Sequence, residues 1–205
     1  MRRFLAALGI GMASAAAAED GFYGKYEMPE YQVVRSVGAA ELRAYAPHLV
    51  AVVAVEGDRR GALNRGFREL AGYIFGGNQG SQSVAMTSPV SQTATQIDMT
   101  SPVTQTGEGG VWEVTFMMPR AYTMESLPVP NSNVVRFVDV PARQMLVLQF
   151  SGRATSSVLE DRTAELEAIA GEAGLALDGP PAFNFYDDPF TAPWARRNEV
   201  AFVIE

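Results

Sequence analysis

The chain has 205 residues, no cysteine, a single histidine and a formal charge of −7, with 47% apolar and 19% charged residues. That is enough apolar material for one substantial core, while the missing cysteines exclude disulfides and thiolate metal sites. The acidic balance argues against nucleic acid as a partner.

Arg2 and Arg3 precede an apolar or small run from Phe4 to Ala18, which ends in Ala16-Ala17-Ala18 ahead of Glu19-Asp20. This layout predicts a secretory leader, residues 1–18, cleaved after Ala18. The run falls short of the roughly 20 apolar residues a spanning helix needs, and no later stretch reaches that length. Cleavage removes two arginines and no acid, which moves the charge from −7 to −9. The expected product is soluble and exported, either periplasmic or secreted. Residues 19–30 mix glycine, acidic and aromatic residues up to Pro29 and read as an irregular lead-in. One domain is expected over 31–205.

Residues 31–37 and 40–45 alternate loosely and are rich in β-branched or aromatic residues, and 48–56 is an apolar run dominated by valine. These predict two or three strands. Asp58 is placed to cap a helix whose stripe is Leu63, Phe67, Leu70 and Ile74, ending at Gly76-Gly77. A Ser/Thr/Gln-rich stretch, 78–110, follows. In the next strand, 111–118, Trp112, Val114, Phe116 and Met118 share one face, and Pro119 ends it.

The order then repeats. Strands are expected over 134–140 and 143–150, around Pro141. A second helix carries Leu159, Thr163, Leu166, Ala170 and Ala173, starts at a capping box of Ser157 and Glu160, and closes at Gly174. Two final strands, 182–186 and 199–204, flank a Pro- and aromatic-rich loop. The chain thus reads as β-β-α-β-β performed twice, with pseudo-repeats over about 31–118 and 134–205. The expected fold class is α+β, in which the halves join their sheets into a distorted antiparallel β-barrel flanked by two α-helices. A cleft between such halves favours small-molecule binding.

The most unusual feature is a pentapeptide present twice, Met86-Thr87-Ser88-Pro89-Val90 and Met99-Thr100-Ser101-Pro102-Val103. In each copy the proline restricts the preceding serine to extended geometry and withholds a ladder donor, so each marks a strand edge or bend. Two matching strand ends of one hairpin would look the same.

Together with Glu41-Leu42-Arg43-Ala44-Tyr45, Tyr73-Ile74-Phe75-Gly76-Gly77-Asn78 and Arg196-Arg197-Asn198-Glu199-Val200, this repeat resembles the SOUL haem-binding family, with the motifs in the family's order from about Tyr31 to the C-terminus. The resemblance implies a distorted antiparallel barrel with pseudo-two-fold symmetry. It also implies non-catalytic binding of haem or a related tetrapyrrole as a ligand. The first helix is the family-like docking surface, which sets Leu63 and Phe67 beside the macrocycle and Arg59 or Arg60 at a propionate, with Arg196 or Arg197 as alternative cations. Core packing and surface ion pairs explain the same residues equally simply.

Haem often takes an axial His, Met, Cys or Tyr. Some family members carry a histidine where this chain has Ala44, which leaves His48 as the candidate, with Met86 and Met99 as thioether alternatives or gap-filling core. The expectation is that ring burial dominates and axial ligation is weak. Bacterial relatives of the fold include effector-binding modules, so a small-molecule or lipid-binding module is the alternative. A hydrolase of a small apolar substrate, using Glu41, Glu113, Tyr73 or Tyr186, is a further one, although no Gly-x-Ser-x-Gly or His-Glu-x-x-His segment is present.

Overall fold

The computed structural model describes residues 18–19, 21–94, 110–188 and 190–205. Most of the predicted leader and the second pentapeptide copy, Met99 included, lie outside the described residues. Three two-residue strands come first: β1 (Ala18–Glu19), β2 (Phe22–Tyr23) and β3 (Tyr26–Glu27). The last two form a small hairpin within the lead-in. Then come β4 (Tyr31–Val37), β5 (Ala40–Tyr45), β6 (His48–Gly57), α1 (Arg59–Ile74), β7 (Val90–Ala94) and β8 (Gly110–Met117). The second half comprises β9 (Arg136–Val140), β10 (Arg143–Phe150), α2 (Ser156–Ala173), β11 (Leu177–Phe185) and β12 (Asn198–Ile204).

The fold is α+β, with one ten-stranded antiparallel sheet in the order β1-β4-β5-β10-β12-β11-β7-β8-β6-β9. The duplication is visible in the pairing. β6 lies between β8 and β9, and β10 lies between β12 and β5. Each half therefore sends one strand across to the other: β5 of the first half pairs with β10, and β9 of the second pairs with β6. At the centre β7 meets β11, where Gln92 faces Phe183 while Ser91 faces Asn184 and Thr93 faces Ala182. The register makes the pseudo-dyad pass beside Gln92 and Phe183, and it relates His48 to Arg143, Val50 to Met145 and Glu113 to Glu199.

Strand alternation decides which face is covered. Leu49, Ala51 and Val53 of β6 pack with Val114 and Phe116 of β8, and with Met118 just past its end, beneath Leu70, Tyr73 and Ile74 of α1. On the other half Leu146, Leu148, Val200 and Phe202 meet Leu159, Leu166 and Ala170 of α2. Fully burying a leucine such as Leu70 or Leu146 contributes about 1.5–3 kcal/mol. Gly66 lets α1 approach β8 closely, because a Cβ there would lie 2.6 Å from Val114. Both helices thus lie on one side of the sheet, and the opposite face is left to the cleft.

Helix starts follow local chemistry. Asp58 caps α1 by accepting from the Gly61 N–H, as its sequence position predicts. The α2 cap is Thr155, whose hydroxyl accepts from Val158 N, rather than Ser157. Ser157 is already inside the helix, so its hydroxyl pairs with that of Thr155 instead of closing a box with Glu160.

Candidate ligand-binding cleft

The helix-free face of the sheet holds a cleft of about 360 Å³ across the junction of the halves. One end is apolar: Val50, Met117, Val138, Val140 and Met145 line it with the rings of Tyr45 and Tyr186. The other end is polar, with Ser91, Thr93, Glu113, Thr115, Arg136 and Asn184. Ser91 Oγ donates to Asn184 Oδ1 at 2.6 Å, and Arg136 pairs with Glu113.

His48 opens β6 and stands at the apolar end, where it also borders a neighbouring cavity under residues 118–125. Its Nδ1 lies 2.9 Å from the Ala46 carbonyl oxygen. A carbonyl only accepts, so the proton belongs on Nδ1. Burial holds the imidazole below its usual pKa, and nearby Arg143 adds to this, while the Ala46 bond partly opposes it. At neutral pH the ring is therefore neutral with an unprotonated Nε2 that has no hydrogen-bond partner among the described residues, the tautomer that can ligate a metal.

Behind Tyr45 and Tyr186 sits a sealed ionic cluster. Glu199 receives Arg43 Nη1 at 2.9 Å, Arg197 Nη2 at 2.9 Å and the Tyr186 hydroxyl at 2.8 Å. Burial by itself pushes the Glu199 carboxyl up, but the two guanidinium groups outweigh it and hold the group below the ordinary range. Burial raises both Tyr45 and Tyr186 well above a normal phenol, with the Glu199 charge adding to it. Both stay protonated, so neither offers a phenolate to a metal. The sequence carried a signal for this cluster: Arg43 and Glu199 are charges inside otherwise apolar strands, on the face shared with Met145, Val147 and Ala201.

The remaining candidates are dispersed. Leu63 packs against the helix-side core, and Phe67, 39% exposed, meets Phe116 edge-on at 5.4 Å between ring centroids. Met86 packs against the same cluster. These three lie across the sheet from the cleft. Arg60 is exposed on α1. Arg59 bonds Gln92 Oε1 and the Ala154 carbonyl at 3.4 and 3.3 Å, and its buried Nε has no partner among the described residues. It borders a groove between the helices with Trp112, Leu159 and Phe183. Arg196 donates to the Thr191 carbonyl, and Arg197 is taken up by Glu199 because a buried carboxylate demands counter-charge. The first pentapeptide copy is a clasp: Thr87 Oγ1 donates to the Met117 carbonyl, Ser88 Oγ to that of Tyr186, and Pro89 lines the cleft.

The family model of the SOUL heme-binding protein matches residues 26–203. The chain belongs to the SOUL heme-binding family. This SOUL chain is 27% identical over 150 residues to Heme-binding protein 1 of Xenopus laevis, a match covering 69% of this chain and 70% of that one. Among solved structures it resembles the EcmrR C-terminal domain, with a TM-score of 0.60 at 14% identity, over 85% of this chain and 98% of that one. It also resembles an uncharacterised conserved protein from Listeria innocua, with a TM-score of 0.59 at 14% identity, over 81% and 92% of the two chains. A hydrolase from Listeria innocua gives a TM-score of 0.53 at 14% identity, over 81% and 91%. At such identities these structures establish the SOUL chain's fold alone. The family supports tetrapyrrole binding in general.

Proposed function

We propose that this protein binds haem or a related tetrapyrrole without acting on it, in the cell envelope or outside the cell, and that the ring enters the cleft at its His48 end. The observation that carries the placement is His48 itself: the chain's sole histidine borders an apolar cleft with its Nδ1 committed to Ala46 and its Nε2 bare. Valine, methionine and tyrosine side chains supply apolar contact for a macrocycle, and the volume falls within the roughly 300–1,000 Å³ of small-molecule sites. Haem bound there would draw an axial nitrogen from His48 and its burial from these walls. Export rests on the predicted leader, and is tested by sequencing the N-terminus of the secreted protein for a start at Glu19.

A non-catalytic role is supported by how the enzyme candidates are used. Glu41 pairs with Arg43, Glu113 with Arg136 and Tyr186 with Glu199, and Tyr73 donates to the Pro128 carbonyl. None is poised to activate a nucleophile.

A second placement, on the helix side, is favoured by the unpartnered Arg59 Nε beside Trp112, with Leu63 and Phe67 further along α1. Hemin titration of the mature protein separates the two. Loss of the imidazole-ligated hemin spectrum in His48→Ala with normal binding by Arg59→Gln and Phe67→Ala supports the cleft. The reverse pattern moves the ligand to the helices, and absence of hemin binding by the wild type rejects the haem reading.

A further inference from the structure

The charge lining the cleft runs against the charge of the protein. The chain carries −7, yet the ionised groups that border the cleft are Arg136, Arg143 and Glu113, an excess of one positive charge. Glu113 is committed to Arg136. Arg143 is different: it is exposed at the rim of the cleft and forms no ion pair with a carboxylate among the described residues. An exposed cation with no carboxylate partner at the rim of an apolar cleft is open to an anion, and an incoming carboxylate would meet it by a charge-assisted bond. Glu199, behind the wall, presents nothing to a ligand: its side chain is fully buried and both of its oxygens are taken by Arg43, Arg197 and Tyr186.

Position adds to charge. Arg143 begins β10, just past the short turn after Val140, and Val140 is the strand partner of His48. The pseudo-dyad also makes Arg143 the counterpart of His48. One half therefore contributes a bare imidazole nitrogen at the cleft's mouth, and the other half contributes a cation at the equivalent place. A flat ligand centred near His48 carries its edge substituents toward Arg143.

From this arrangement we infer that the cleft prefers ligands bearing free carboxylates, that Arg143 is the residue reading the carboxylate, and that neutral esters of the same shape bind more weakly. The inference rests on the cleft placement proposed above and goes beyond it by naming the ligand's charge class and its reader.

The test uses metal-free protoporphyrin IX and its dimethyl ester, which share one ring, differ in charge and remove iron ligation from the comparison. Fluorescence titration of the mature wild-type protein is expected to give affinity for the diacid about tenfold or more above that for the diester, the size of a good charge-assisted contact. Arg143→Gln is expected to bring diacid affinity down to that of the diester, and Arg143→Lys to restore part of the difference. Equal binding of diacid and diester by the wild type overturns this inference alone and leaves tetrapyrrole binding standing. Full preference retained in Arg143→Gln overturns the assignment of Arg143. Failure of the wild type to bind hemin or either porphyrin overturns the tetrapyrrole reading and this inference with it.

Discussion

Glu199 Oε1 lies 2.9 Å from Arg43 Nη1, with 0% and 2% of the two side chains exposed, in the wall behind the cleft. Such a pair contributes little beyond apolar packing when whole, but leaves an uncompensated buried charge when halved. Arg43→Met leaves Glu199 with Arg197 as its remaining counter-charge, so the single variant is expected to destabilise the protein by roughly 1–3 kcal/mol, measured by urea unfolding, and adding Glu199→Met, which strands Arg197, should not recover that loss. A cost below about 1 kcal/mol for the single variant would show that water reaches the site.

The same carboxyl sets an acid limit. Its pKa is lowered in the folded protein, so its contribution is complete above the ordinary carboxyl value of 4.5 and disappears as pH falls through the lower folded value. Acid unfolding followed by near-ultraviolet circular dichroism should lose part of its steepness in Glu199→Gln, measured relative to that variant's own stability at pH 7.

His48 acts in a higher window by the same sign. Its folded pKa lies below 6.5 through burial and the Arg143 charge, so the unfolded chain binds the proton more tightly. Stability should be full above 6.5 and fall as pH drops toward the folded value. Urea midpoints between pH 8 and 5 should slope less in His48→Gln, and a bound hemin's imidazole-ligated spectrum should fade over that window in the wild type. Identical slopes would remove His48 from the account.

Two glycines of α1 are expected to respond oppositely to alanine. At Gly66 the new methyl group would meet Val114 at 2.6 Å, so Gly66→Ala should destabilise by about 1–3 kcal/mol despite its better helix propensity. At Gly72 nothing lies within 4 Å, and Gly72→Ala should stabilise by about 0.5–1 kcal/mol. Thermal melts of both variants decide the matter.

The start of α2 offers a local check. Thr155→Ala removes the hydroxyl that accepts from Val158 N and should cost about 0.5–2 kcal/mol. Ser157→Ala, inside the first turn, should change stability by less than about 0.5 kcal/mol.

Much of the fold was legible in local pattern. Asp58 caps α1 where the Leu63 to Ile74 stripe begins, and the alternation of Val114, Phe116 and Met118 put those side chains under that helix. Leu63 and Phe67 were legible as a stripe, but a stripe does not reveal which side of a sheet a ligand occupies. Arg197 reads locally as a propionate partner or a surface ion pair, because nothing in its neighbourhood shows that Glu199, two residues on, is buried or that Arg43 joins it from 156 residues away. Capping at Thr155 and not Ser157 depended on where the chain turns into α2, a matter of one or two residues that packing settles.

The sequence by itself determined the class of structure: the order of strands and helices, their duplication, and the family to which the chain belongs, since each rests on periodicity, caps and motifs set by neighbouring residues. Only the tertiary structure decided that each half lends one strand to the other, β5 to β10 and β9 to β6. That exchange brings His48 and Arg143 to equivalent places on one cleft and seals Glu199 between Arg43 and Arg197. Long-range pairing, and the electrostatics of burial that follow from it, are properties of the assembled sheet and leave no periodic trace in the chain.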